Sequence, residues 1–165
     1  MGLLEPHGRS RRLFRRDALS ADGPVIIVHS LAQAIAALTA AAEAGRAIAL
    51  TSPPNAGIYA GPGWFRELAR AASEAVPEAR FIAILDCGED AGAAMAAVRA
   101  GVKAIVFTGR SDVAARLADI AAQADAKLLT ARAPVLLDLG ASFFGDQETL
   151  RRHCADALAS SAAFC

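Results

Sequence analysis

The chain has few aromatics, almost no lysine and no net charge. Aromatic residues are 5% of the sequence against 55% hydrophobic residues overall, so any core must be built from Ala, Val, Leu and Ile. Only Lys103 and Lys127 among 17 basic residues are lysines. A GC-rich coding bias accounts for the excess of Arg and Ala as readily as function does. The 17 basic residues balance 17 acidic ones, which argues against a nucleic acid or a membrane surface as the global partner. Cysteine is scarce: Cys87, Cys154 and Cys165 are scattered and odd in number, which excludes a disulfide framework and reads as cytoplasmic. His7, His29 and His153 lie far apart, and no CxxC or paired Cys/His spacing points to a metal. No P-loop, GxGxxG, HExxH or GxSxG motif occurs, so no cofactor is expected. No apolar run approaches the roughly 20 residues that span a bilayer, and no long apolar segment follows the basic N-terminus as a secretory signal would require.

What the chain has is a rhythm. Phe81 to Gly109 reads FIAILDCGEDAGAAMAAVRAGVKAIVFTG: an apolar strand, a polar turn, an Ala-rich helix and a second apolar strand, one complete βαβ unit. Its strands run apolar without alternation, as strands buried on both faces of a parallel sheet do. The same pattern predicts strands at Val25–Val28, Ala47–Thr51, Ala104–Phe107 and Lys127–Thr130, with helices between them. Ser30, Asp90, Ser111 or Asp112, and Asp146 stand where N-caps are needed. The loop Ser52 to Trp64, with three prolines and three glycines, is expected to forbid a helix and carries Tyr59 and Trp64, the only residues of their kinds. Such a loop at a sheet's carboxyl edge is a candidate lid.

After the fifth strand the rhythm breaks. Too few residues precede PVLLDL (Pro134 to Leu139) for a parallel crossover, so the sixth strand is expected to be antiparallel to the fifth or a bent continuation of it. The predicted fold is α/β: five mainly parallel βα units, as a half-barrel or a flavodoxin-like three-layer sheet, with a sixth edge strand and a C-terminal helix. Residues 1–22, with five arginines around Leu13 and Phe14, form a basic, partly disordered arm, and residues 23–165 form one α/β domain.

The stretch ILDCGEDAGAAMAAVRAGVKAIVFTG resembles a βαβ unit of aldolase-type (βα) barrels, such as the 2-keto-3-deoxy-6-phosphogluconate aldolase group. A full barrel needs eight units and about 250 residues, so the resemblance implies at most a half-barrel. The Schiff-base lysine of that group belongs at the carboxyl end of a strand, whereas Lys103 and Lys127 precede or open theirs, so no catalytic residue carries over. Response-regulator receivers are the other comparison: Asp86 and Thr108 fit their pattern, but the acidic pair after strand one and the lysine after strand five are missing.

Open parallel sheets bind ligands beyond the carboxyl ends of their strands. There the pattern gathers His29 and Ser30, Thr51, Asp86 and Cys87, and Thr108, Gly109 and Arg110, with Thr130 and Arg132 as further candidates. A histidine exchanges protons near neutral pH, so His29 is the candidate general acid or base, with Asp86 to orient it. Ser30, Thr51, Tyr59, Cys87, Thr108, Gly109 and Arg110 are candidate ligand contacts, and the turn TGRSD, Thr108 to Asp112, is a candidate anion site. Two functions remain: an enzyme acting on a small phosphate- or carboxylate-bearing metabolite, or a non-catalytic domain that binds a ligand or protein partner. Apolar helices, Phe143, Phe144, Leu150 and Leu158 point to a homo-oligomer.

Overall fold

A computed structural model describes residues 23–162; the basic arm and Cys165 lie outside the described residues. One sheet holds β1 (Val25–Ile27), β2 (Ala47–Thr51), β3 (Arg80–Asp86), β4 (Ala104–Val106), β5 (Lys127–Leu129) and β6 (Leu137–Asp138). Every neighbouring pair is parallel, in the order β5-β4-β3-β2-β1-β6. Successive side chains alternate between two cores. Ile26, Ile48, Leu50, Leu85 and Ile105 meet helices, while Val25, Ala49, Ile84, Ala104 and Val106 form a separate cluster on the opposite face. With both faces buried, the strand sequences read as uninterrupted apolar runs.

The strand order selects between the two expected architectures. Because β1 to β5 lie in sequence order, right-handed crossovers all advance in one direction and lay their helices on one face. α1 (Leu31–Glu43), the single turn α2 (Ala56–Tyr59), α3 (Pro62–Ala75), α4 (Ala91–Arg99) and α5 (Ser111–Gln123) follow the strands across the sheet, with α6 (Gln147–Ala162) packed along α1. This is the half-barrel arrangement; a flavodoxin-like order would reverse and place helices on both faces. Leu150, Cys154 and Leu158, one turn apart on α6, are buried against the small residues Ala34, Ala37 and Ala41 of α1. The two leucines are therefore used within the chain and offer no surface for an oligomer.

Local signals set the helix ends. Ser30 Oγ accepts the N–H of Gln33, Asp90 Oδ1 that of Ala93, and Asp146 Oδ1 that of Thr149, as expected of caps. Arg110, rather than Ser111 or Asp112, holds the capping position of α5, and its side chain caps nothing. The loop after β2 is not free of helix: α2 fits between Pro54 and Gly61, and Pro62 opens α3, where its missing N–H has no cost.

β6 overturns the expectation placed on it. It pairs with β1, parallel, at the far edge from β5. A helical crossover was never needed, because residues 130–136 cross the face of the sheet opposite the helices as a strap. Five strand spacings come to roughly 24 Å in a flat sheet, and the strap must also run back about 10 Å along the strands, against a reach of about 27 Å for the chain between Leu129 and Leu137. The strap is nearly taut, so a sheet curled toward it suits the connection. Ala133 packs on the cluster of Val25, Ile84 and Val106, and the N–H of Leu136 donates to Val25 O at 2.9 Å.

Candidate functional site

Asp86 ends β3 on the strap side, and only 4% of its side chain is exposed. A buried carboxylate needs partners for both oxygens. Oδ1 accepts the N–H groups of Asn55 and Gly88, each at 2.9 Å. Arg132, from the strap, grips the same carboxylate with Nε on Oδ2 at 2.6 Å and Nη2 on Oδ1 at 3.1 Å. The N–H of Asp86 itself donates to Ser52 Oγ at 2.9 Å. Burial pushes the Asp86 carboxyl up, but Arg132 and the two amides outweigh it and hold the group below its ordinary 3.8. It is ionised at neutral pH. The backbone is shaped for this contact: Asn55 and Gly88 have φ of 63° and 53°, and a Cβ on Gly88 would strike Asn55 Oδ1. One carboxylate thus ties together the loops that follow β2, β3 and β5.

Outside this cluster lies an open cleft of about 620 Å³. It is lined by Ile58, Tyr59, Glu89, Asp90 and Thr108, together with Asn55 and Arg132 of the Asp86 cluster. Arg132 keeps 44% of its side chain exposed. Partial burial and then the charge of Asp86 raise the Tyr59 phenol above 10.0, so its hydroxyl is neutral. Behind Arg132, between strap and sheet, only about 40 Å³ remains, room for water but not for a metabolite.

His29 stands elsewhere on the same edge. Its Nε2 lies 2.7 Å from Asp138 Oδ1, the last residue of β6, with the two side chains 27% and 52% exposed. The N–H of Gly140 also donates to that oxygen, at 2.8 Å. Burial raises Asp138, but Gly140 and His29 outweigh it and hold it below 3.8. The N–H of His29 donates to Gln33 Oε1 and Gln33 Nε2 to Leu139 O, so a buried glutamine fixes the turn behind the ring. The carboxylate that orients His29 is Asp138. Asp86 is committed to Arg132, two strands away from β1.

The remaining candidates divide. Thr108 and Tyr59 line the cleft. Thr51 Oγ1 donates to Ile84 O at 3.2 Å, and Ser30 serves as a cap. Cys87 is fully buried toward the helices, where burial first, then Asp86 and Asp90, push its thiol up to about 12. A thiol raised that far stays protonated at neutral pH, and the thiolate is the nucleophilic form. Gly109 is required because a Cβ there would strike the Phe107 ring. The guanidinium of Arg110 is taken by Asp112, at 3.0 and 2.9 Å, on an exposed surface. Asn55 and Asp138 carry no signal in the sequence; Gly88 and Glu89 are marked only as part of the polar cluster that follows Asp86, and Arg132 only by standing after a strand. Lys103 and Lys127 lie at the amino edge, so neither is placed for Schiff-base chemistry at the cleft. Among the described residues no group of three or more His, Cys, Asp or Glu is placed to hold a metal ion, and no helix is long and apolar enough to cross a membrane. No protein-family model matches the chain, and no curated protein matches it.

Proposed function

We propose that this protein binds a small metabolite bearing a carboxylate or phosphate at the carboxyl edge of its sheet, with Arg132 as the anchor. The observation that carries this reading is a guanidinium fixed by a buried carboxylate and turned, nearly half exposed, into a cleft. Holding Arg132 in place removes rotamer entropy that a ligand would otherwise have to overcome. Its Nη1 makes no hydrogen bond among the described residues, and Thr108 and Tyr59 add hydroxyls nearby. Titration with phosphate, sulfate and small carboxylates, followed by NMR shifts of the loop amides, tests it. Millimolar or tighter binding that Arg132→Gln abolishes is expected; equal binding by both proteins overturns the anchor.

An enzymatic reading draws on a separate observation, the His29–Asp138 pair. Asp138 orients the imidazole through Nε2, which leaves Nδ1 for proton transfer to a substrate. A homo-oligomer rests now on Phe143 and Phe144, which stack edge to face at 5.2 Å with Phe144 97% exposed. Light scattering that returns a monomer mass at tens of micromolar removes it. The free thiols Cys87 and Cys154 fit a reducing, cytoplasmic setting.

A further inference from the structure

Two charges of opposite sign, Arg132 and Glu89, line the cleft, and they differ in how far they are already used. Arg132 is paired with Asp86 but keeps 44% of its side chain exposed. Asp90 is committed, because its Oδ1 caps α4. Glu89 makes no ion pair within 4 Å among the described residues, yet lies close enough for its charge to act on Arg132. Summed over Asp86, Glu89, Asp90 and Arg132, this part of the edge is net negative, so an anion with nothing to offset Glu89 meets repulsion there. Ile58 and Tyr59, 52% and 67% exposed, supply an apolar wall in the same cleft.

Building on the anchor at Arg132, we infer that the ligand is a zwitterion, whose carboxylate or phosphate sits on Arg132, whose ammonium faces Glu89, and whose short apolar body lies against Ile58 and Tyr59. A ligand with only one charge satisfies one of these two side chains and leaves the other opposed. The cleft, at about 620 Å³, falls in the range of small-molecule sites.

Butyrate and 4-aminobutyrate differ by the ammonium alone and serve as probes, with butylamine as the cation control. For the wild-type protein, NMR titration should show 4-aminobutyrate binding about fivefold more tightly than butyrate, the gain of one exposed ion pair. Glu89→Gln should erase that difference and leave butyrate bound as well as before or better, while Arg132→Gln should weaken both acids. Butyrate binding with no advantage for 4-aminobutyrate, or an advantage that survives Glu89→Gln, overturns the zwitterion and leaves the anion anchor standing. If neither acid binds, or if butylamine alone matches 4-aminobutyrate, the anchor falls and the zwitterion with it.

Discussion

The carboxyl edge carries two carboxylate–cation pairs of similar chemistry in opposite settings. Asp86 and Arg132 meet where the carboxylate is almost fully buried, and four hydrogen bonds reach its two oxygens. Asp138 and His29 meet with both partners partly in water, and the shared oxygen takes only His29 and one amide. Burial decides what each pair does. A buried carboxylate without its partners is costly, so Asp86 organises three loops and presents Arg132. A solvated pair adds little to stability, so Asp138 can position His29 without the fold depending on it.

Removing Asp86 should have the largest effect. Asp86→Ala leaves the amides of Asn55 and Gly88 unpaired and releases the strap, and should lower unfolding free energy by about 3 kcal/mol in urea denaturation. Arg132 is partly exposed and can rehydrate, which keeps the figure below that of a fully buried pair. A loss under about 1 kcal/mol would reduce the cluster to the level of the exposed pair. Acid provides a second probe of the same contact. Because Asp86 is held below 3.8 in the folded protein, its contribution is complete above the unfolded value and is lost as pH falls through the lower folded one. Wild-type stability should therefore fall below about pH 4, and Asp86→Ala should show a shallower acid slope. Parallel slopes would assign the acid dependence to other carboxylates.

Next in size is a pair of glycine substitutions, one on each side of the comparison. A Cβ on Gly57 would lie 2.5 Å from Cys87 Sγ and 3.2 Å from the backbone of Asp86, both buried and unable to yield. Gly57→Ala should cost about 2 kcal/mol, the usual scale of overpacking. On Gly140 the Cβ would meet His29 Nε2 at 2.9 Å, the end of a partly exposed ring that can turn aside. Gly140→Ala should cost less than half as much and disturb the His29 ring instead, visible in its NMR shifts. Equal thermal losses would show that the two sides are packed alike.

How much of this was legible differs between the two pairs for a physical reason. The βα rhythm, the caps Ser30, Asp90 and Asp146, and Asp86 at a strand end follow from local chemistry, which a sequence displays directly. The half-barrel was legible only as one of two orders, since strand runs do not record their neighbours. Asp138 was hidden because β6 was expected beside β5: a strap that crosses an apolar face has no helical pattern to announce it. Arg132 lies on that strap and was noticed only as one more residue after a strand. Cys87 read as a candidate contact because it follows Asp86, yet alternation sends consecutive side chains to opposite faces, so burying Asp86 on the strap side turns Cys87 into the helices. Leu150 and Leu158 read as spare apolar surface because nothing in the sequence says that α6 folds back on α1.

The smallest expected effect on stability is at His29, and there stability and function should separate. His29→Gln and Asp138→Asn should each shift unfolding by less than about 1 kcal/mol, with a coupling in the double mutant of at most about that size, as for other exposed ion pairs. Gln33 continues to hold the turn through the N–H of His29 and the carbonyl of Leu139, neither of which the substitutions touch. If His29 transfers protons, turnover of a cognate substrate must fall steeply in His29→Gln while the melting temperature stays near that of the wild type. A Tm that falls as far as it does in Asp86→Ala would make the pair structural and erase the contrast between the two sides. Ligand binding at Arg132 separates the remaining cases: it should survive both substitutions, because Asp86, which holds Arg132, ends β3, two strands away from β1, and its loss in His29→Gln would show that the two pairs belong to one site.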